Sequence, residues 1–73
     1  MKNLYQMSDG SCGIVQSAPA SKLLESIGVF EGVLLKVGHR YGLGGPVIVS
    51  IGTRNIAIGK DTAKKILVQE TYN

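Results

Sequence analysis

The glycine-rich stretch "YGLGGPVIVS", from Tyr41 to Ser50, is the segment whose composition comes closest to a phosphate-binding loop. Such a loop has the form G-x-x-x-x-G-K-[ST] and leads into a helix whose N-terminus faces the phosphates. Here the glycines are followed by Pro46 and a β-branched run, and the spacing does not fit a G-x-G-x-x-G dinucleotide pattern either. Proline fixes φ where a strand begins. The stretch therefore predicts a connection between strands and no nucleotide cofactor.

Cys12 and His39 are the candidates for a metal site or a nucleophilic centre. They are the single cysteine and the single histidine of the chain, and no C-x-x-C or H-x-x-x-H pair is present. A transition-metal site usually needs three or four ligands. The five acids are dispersed along the sequence without a paired-carboxylate pattern: Asp9, Glu25, Glu31, Asp61 and Glu70. We therefore expect no catalytic residues, no bound metal and no cofactor, in a protein that is not an enzyme.

Alternation of apolar and polar residues predicts five short strands that could position these side chains. The clearest is "VLLKVGHRY", in which Val33, Leu35 and Val37 share one face. The other four segments are "SCGIVQSA", "VIVSI", "IAIGK" and "ILVQ", and a four-residue connection, "GTRN", joins two of them. Because closure of a sheet removes unpaired strand edges, we predict a mainly-β fold, a small barrel of about five strands.

One short helix is predicted between the first and second strands, in "PASKLLESIG". Pro19 suits a first helical turn, and Gly28 stands where a helix often ends on a glycine. Asp61 is expected to cap one further helical turn. The predicted core consists of aliphatic residues on the inward faces of these elements: Leu23, Leu24, Ile27, Leu35, Val37, Val47, Val49, Ile51, Ile58 and Ile66.

Length and charge limit the classes of function. With 73 residues the chain is expected to be a single domain, residues 1–73. It has no N-terminal apolar segment, and its longest apolar runs are far too short to cross a bilayer, so we expect a cytoplasmic protein. The net charge of +3 leaves a nucleic-acid-binding barrel open as an alternative, through Lys60, Lys64 and Lys65. The other basic residues are scattered, so nucleic acid is not the expected partner.

Three segments in order resemble a known family. They are "GSCGIV", "LLESIGVFEG" and "LGGPVIVSIGTRNIAIGKDTAKKILV", which together cover nearly all of the chain. In this order and spacing the sequence resembles the ferrous iron transport protein A family, FeoA. The resemblance implies an SH3-like barrel and a small cytoplasmic accessory of bacterial ferrous iron uptake. It also implies a partner, the cytoplasmic region of the transporter FeoB, which carries a GTP-binding domain.

The resemblance has two departures and one competing interpretation. Many family members have proline where this chain has Glu31, and arginine where it has Gly59 and Lys60. Partner contacts made through those positions are therefore not carried over. Iron-dependent repressors carry a similar SH3-like module behind DNA-binding and dimerisation domains, for which 73 residues leave no room. The accessory is therefore expected, and a regulator-like SH3 module is the alternative.

Apolar side chains in loops are the predicted contact surface. A small core cannot bury every large side chain at its loop tips, and exposed apolar clusters tend to mark interaction sites. The candidates follow the helix or precede the "VIVSI" strand: Val29, Phe30, Tyr41, Leu43 and Pro46. Groove binding of proline-rich peptides is not expected, because it needs several aromatic residues. Self-association through the same patches, or through an open sheet edge, is a further possibility.

Overall fold

The computed structural model of the chain describes residues 1–40 and 44–71. Its strands are β1 (Lys2–Asn3), β2 (Cys12–Ser17), β3 (Leu34–Val37), β4 (Val47–Ile51), β5 (Arg54–Ile58) and β6 (Leu67–Thr71). A 3₁₀ turn (Leu4–Gln6) follows β1, helix α1 (Lys22–Ser26) joins β2 to β3, and helix α2 (Lys60–Ala63) joins β5 to β6. The predicted mainly-β fold, with a short helix between its first two long strands, is confirmed.

The strands form one antiparallel sheet in the order β1-β6-β2-β3-β4-β5. Its axes of 28, 26 and 24 Å are nearly equal, whereas a flat layer of sheet is only about 10 Å thick. The sheet therefore coils around its own inner face. In the part of the chain that the structure describes, β1 and β5 end the sheet and pair only with β6 and β4. The two-residue β1 is a sixth strand, additional to the five that the sequence predicted.

The core is aliphatic and lies on the inner face of this sheet. Within residues 1–40 and 44–71 it includes these buried residues: Leu4, Met7, Val15, Leu24, Val29, Leu35, Val37, Val47, Val49, Ile58, Ala63, Ile66 and Val68. Of the predicted core residues, Ile27 and Ile51 are only partly buried against it. The prediction for Leu23 is wrong, because its side chain is 69% exposed. Successive helix residues point about 100° apart, so only Leu24 of the two adjacent leucines faces the sheet.

Two turns differ from the predicted ones. The connection between β4 and β5 is the pair Gly52 and Thr53, because Ile51 already pairs with Arg54. Gly52 has φ of +62°, the first-position glycine of a type II′ turn, whose twist matches that of the strands it joins. Asp61 does not cap α2: the N-cap is Gly59, which makes no side-chain hydrogen bond, and Asp61 lies in the first turn.

Helix α1 is fixed at both ends. The prediction that Pro19 lies in the first helical turn is wrong, because α1 begins at Lys22 after the N-cap Ser21. The Ser21 hydroxyl accepts a hydrogen bond from the Leu24 N–H at 3.3 Å. At the other end Gly28 has φ of +90° and donates to the carbonyl of Glu25, while Val29 donates to the carbonyl of Leu24 at 2.8 Å. These two bonds form a Schellman motif, so the predicted glycine at the helix end is confirmed.

We expect Gly28→Ala to destabilise the fold by about 1–2 kcal/mol, because a residue with a Cβ is strained at this positive φ. The added Cβ would also contact the guanidinium of Arg54, which can swing away, so the backbone strain dominates. Urea unfolding followed by circular dichroism measures the loss. The matched control is Gly28→Asn, since asparagine tolerates this conformation better. An alanine variant as stable as wild type would contradict the assignment.

Candidate docking surface

The structure describes three of the five sequence-predicted contact residues: Val29, Phe30 and Pro46. Phe30 is 49% exposed directly after α1, and Pro46 is exposed directly before β4. Pro46 does not line the depression beside Phe30. Tyr41 and Leu43 lie outside the described residues. A contact surface shared by Phe30, Pro46 and the two residues outside the described part stays a prediction.

Val29 is buried, so the expectation that it is an exposed loop residue is wrong. Its side chain is 1% exposed and belongs to the core together with that of Leu24. The reason is the helix end itself: the residue after a Schellman glycine often packs back on the last helical turn. Phe30, one position further along, points outward. Of the pair, Phe30 alone offers its side chain to a partner.

Helix α1 lies between two shallow depressions. On one side Phe30 lines a depression with Ala18, Pro19 and Glu25. On the other side Leu23, Leu24 and Ile27 face Ala57 and Ile58 of β5. We call the exposed residues Leu23 and Phe30, together with the partly buried Ile27, the α1 surface. Leu23 was missed as a surface residue, although two adjacent leucines in a five-residue helix are themselves a sign that one of them faces outward.

A second feature, formed by charges, surrounds the ring of Tyr5. The guanidinium carbon of Arg40 lies 4.9 Å from the ring centroid, the Nζ of Lys60 lies 5.5 Å from it, and the Nζ of Lys64 lies 5.9 Å from it. We call Tyr5, Arg40, Lys60 and Lys64 the Tyr5 cluster. Each of these distances is within the range in which a cation is attracted to the face of an aromatic ring. The sequence predicted no role for Tyr5, because its cationic neighbours are 35 or more positions away.

Arg40 links the β3–β4 connection to the N-terminal segment. Its Nη1 donates to the carbonyl of Tyr5 at 2.6 Å, and its Nη2 donates to the carbonyl of Met7. Its backbone N–H lies 3.5 Å from the carboxylate of Asp9. The Nε is buried and has no hydrogen-bond partner in the described part of the chain. The guanidinium therefore uses both of its terminal nitrogens inside the protein.

The Tyr5 cluster is not neutralised by ion pairs. Within residues 1–40 and 44–71 the ion pairs are Lys2 with Glu70 at 2.9 Å and His39 with Asp9 at 3.4 Å. Neither includes a member of the cluster. The five residues outside the described part carry no aspartate or glutamate. Three positive charges thus share one small area of the surface.

The candidates for chemistry lie on different elements. Cys12 pairs in register with Lys36 and Thr71 in the middle of the sheet, whereas His39 is exposed beyond the end of β3, beside Asp9. Among the described residues, no three side chains of the His, Cys, Asp and Glu types lie close enough together to hold a metal ion. No helix in the described ranges is long and apolar enough to span a membrane.

Comparisons of this chain with a family model and with solved structures point to the same family. A family model of the FeoA domain matches residues 2–70. The crystal structure of an iron uptake regulatory protein, FeoA, is 32% identical, covers 96% of each chain and superposes with a TM-score of 0.86. A search of curated proteins gives no match.

Two further structures show how widely the fold occurs. A manganese-dependent transcriptional repressor is 25% identical with a TM-score of 0.84, and the match covers 96% of this chain but 41% of the repressor. FeoA of Stenotrophomonas maltophilia, in complex with zinc and described as a prokaryotic SH3 domain protein, is 18% identical with a TM-score of 0.76 and coverage of 94% and 91%. At that identity the likeness shows the fold alone, and it confirms the predicted SH3-like class.

Proposed function

Because the chain belongs to the FeoA family of ferrous iron transport accessory proteins, we propose that it docks on the cytoplasmic GTP-binding region of the transporter FeoB and modulates transport. In this proposal it acts in the cytoplasm, has no enzymatic activity of its own and reaches the membrane only through the transporter. The observation that carries the proposal is the α1 surface, where Leu23 and Phe30 expose 69% and 49% of their area.

The α1 surface suits a protein partner. Aromatic side chains that fill a partner's pocket are frequent among the few residues that carry most of a binding free energy. Phe30 is the single phenylalanine of the chain, and it lies next to a depression that a partner side chain could enter. The helix ends in a rigid Schellman motif, so little conformational entropy is lost when Phe30 is held in a complex.

Docking can modulate transport only if the protein binds two conformations of FeoB with different affinities. If FeoB alternates between conformations, a binding protein favours the one that it binds more tightly, and by no more than that difference. An accessory that carries no reactive groups of its own can therefore still change the rate of a transport cycle.

Two alternatives remain as outcomes of the same experiments. The match to a domain-sized part of a repressor suggests a regulator-like SH3 module, and the lysines of α2 suggest a nucleic-acid-binding barrel. Binding to nucleic acid weakens steeply as salt rises, because counterions are released, whereas apolar docking does not. Self-association through the α1 surface would appear as concentration-dependent elution in size-exclusion chromatography.

We expect Phe30→Ala to weaken binding to a purified FeoB cytoplasmic region by tenfold or more, that is, by at least ~1.4 kcal/mol, as at a typical aromatic hot spot. Isothermal titration calorimetry measures the affinity. Leu23→Ala and Leu43→Ala are measured beside it, the first on the α1 surface and the second in the predicted loop.

The control is Leu34→Ala, because Leu34 is 60% exposed on β3 and lies outside the α1 surface. It should leave the affinity unchanged. Phe30, Leu23 and Leu34 are exposed, so the melting temperatures of their alanine variants should stay close to that of the wild-type protein. If Phe30→Ala and Leu43→Ala both bind like wild type, the proposed contact surface is refuted. If wild type does not bind the FeoB region at all, the proposed partner is refuted.

A further inference from the structure

The Tyr5 cluster holds more positive charge than its own surroundings balance. Its three cationic centres each lie within 5.9 Å of one ring centroid, so no two of them are more than about 12 Å apart. At physiological salt the screening length is about 8 Å, so the repulsion between these exposed charges is partly screened and grows as the salt concentration falls. The tyrosine ring offsets part of this repulsion, because cations are attracted to its face. An anionic partner would offset the rest.

We propose that the Tyr5 cluster binds an acidic peptide segment of a partner protein, with carboxylates at alternate positions of an extended chain. The inference concerns a different surface from the proposed FeoB contact and does not depend on it. Lys60 and Lys64 supply the two contacts. Both ammonium groups lie beside the same Tyr5 ring, which the Arg40 guanidinium also approaches.

The spacing of the two lysines favours an extended acidic segment. Lys60 opens α2 and Lys64 is its C-cap, so the two residues are four positions apart along one helical turn. Residues at that spacing lie on the same face with their Cβ atoms about 6 Å apart. Alternate side chains of an extended strand are separated by about 6.6 Å, twice the rise per residue. Two carboxylates at positions i and i+2 of a peptide therefore match the spacing at which the two lysine side chains leave the helix.

The hydrogen bonds that Arg40 already makes disfavour phosphate as the ligand. Phosphate recognition commonly uses the guanidinium fork in a bidentate contact. Here both terminal nitrogens of Arg40 already donate to the carbonyls of Tyr5 and Met7. Each terminal nitrogen keeps one further N–H, but Nε is buried, so the exposed cations of the cluster are two lysines, which act as single point charges. A lone small anion on such an open surface gains little, whereas several linked carboxylates gain by multivalency.

The surroundings of the Tyr5 ring disfavour nucleic acid as the ligand. Single-stranded nucleic acid binds by stacking bases on exposed aromatic rings, along a groove of positive charge. The ring of Tyr5 is approached by three cations and packs in part against the core, so its faces are not open to a base. Two of the five remaining cations have other neighbours: Lys2 pairs with Glu70, and Arg54 lies beside Gly28 at the end of α1.

The test uses the full chain, labelled with ¹⁵N, and a peptide Glu-Ser-Glu-Ser-Glu-Ser blocked at both ends. We expect the amide signals of residues 60–65 and of Tyr5 to shift on titration, with a Kd on the order of 1 mM that weakens as salt rises. The double variant Lys60→Gln, Lys64→Gln should weaken binding about tenfold. The matched control is Lys65→Gln, an exposed lysine of the same segment outside the cluster, which should change the affinity less than twofold.

Four results would overturn the proposal. The first is a glutamine version of the peptide that binds equally well, and the second is a double variant that binds like wild type. The third is a short DNA, single or double stranded, that binds more tightly than the peptide and shifts the same signals. The fourth is inorganic phosphate that saturates the site at a lower concentration than the peptide. Because Lys60 and Lys64 are exposed, the double variant should keep a wild-type pattern of signal dispersion, which the same spectra verify.

Discussion

We expect Gly13→Ala to lower the melting temperature by roughly 10–20 °C, corresponding to about 3 kcal/mol of lost stability in a chain of this size. Gly13 lies buried in β2, where a Cβ would overlap a methyl of Val68 and come within 2.9 Å of the backbone carbonyl oxygen of Gln69. It would also lie 3.2 Å from the Cε of Met7. The methionine can move, but the carbonyl belongs to the neighbouring strand, so β2 and β6 must separate.

Differential scanning calorimetry measures this change. The control is Gly59→Ala, because a Cβ at Gly59 meets no atom within 4 Å and its φ of −60° suits alanine. That variant should lose less than ~1 kcal/mol, the size of an N-cap effect. Equal melting temperatures for the two variants would show that the β2–β6 contact is looser than the structure has it.

Arg40→Met is expected to cost about 2–3 kcal/mol. The substitution keeps much of the side-chain length but removes two hydrogen bonds from a charged donor, to the carbonyls of Tyr5 and Met7, and the contact with the Tyr5 ring. Charge-assisted hydrogen bonds contribute about 1.5–3 kcal/mol each, and Arg40 is only half-buried, so the sum is discounted for water that replaces the lost donors. Urea unfolding measures the loss.

Two companion variants separate the causes. Arg40→Lys keeps the charge but cannot reach both carbonyls with one ammonium, so it should recover only part of the stability. Arg54→Met removes an exposed arginine and should change stability by no more than ~0.5 kcal/mol. If Arg40→Met is as mild as Arg54→Met, the two carbonyl contacts do not stabilise the N-terminal segment.

The sequence predicted the parts of the fold that are governed by local pattern. Alternation along β3 placed Leu35 and Val37 inside, and Gly28 marked the end of α1, because both depend on residues a few positions apart. The prediction failed where two local choices were equally good. Leu23 and Leu24 are both apolar, and the way α1 is oriented on the sheet decides which of them is buried.

The N-terminal segment was missed because its pattern is short and polar. Asn3 and Gln6 form a reciprocal capping box around a single 3₁₀ turn, with side-chain to backbone distances of 3.0 and 3.1 Å. An Asn followed three positions later by Gln was a usable sign of this turn. This 3₁₀ turn also brings Leu4 and Met7 into the core. No periodicity in so few residues could indicate their burial.

The candidate sites were predictable to different extents. Exposure of Phe30 followed from the small volume of the core, although the choice between Phe30 and Val29 depended on the geometry of the helix end. The Tyr5 cluster could not be predicted, since it joins the N-terminal turn, the β3–β4 connection and α2. Only the curvature of the sheet brings these three regions together.

The pairing of β2 with β6 has a consequence for biosynthesis. Residues 12–17 have β3 as one neighbour soon after they are made, but their other neighbour, residues 67–71, is translated fifty or more residues later. Chains leave the ribosome at about 5–20 residues per second. The nascent protein therefore spends seconds with the β6 edge of its central strand β2 unpaired. Completion of the sheet waits for Thr71, and until then one edge of β2 is open to pairing with other polypeptides.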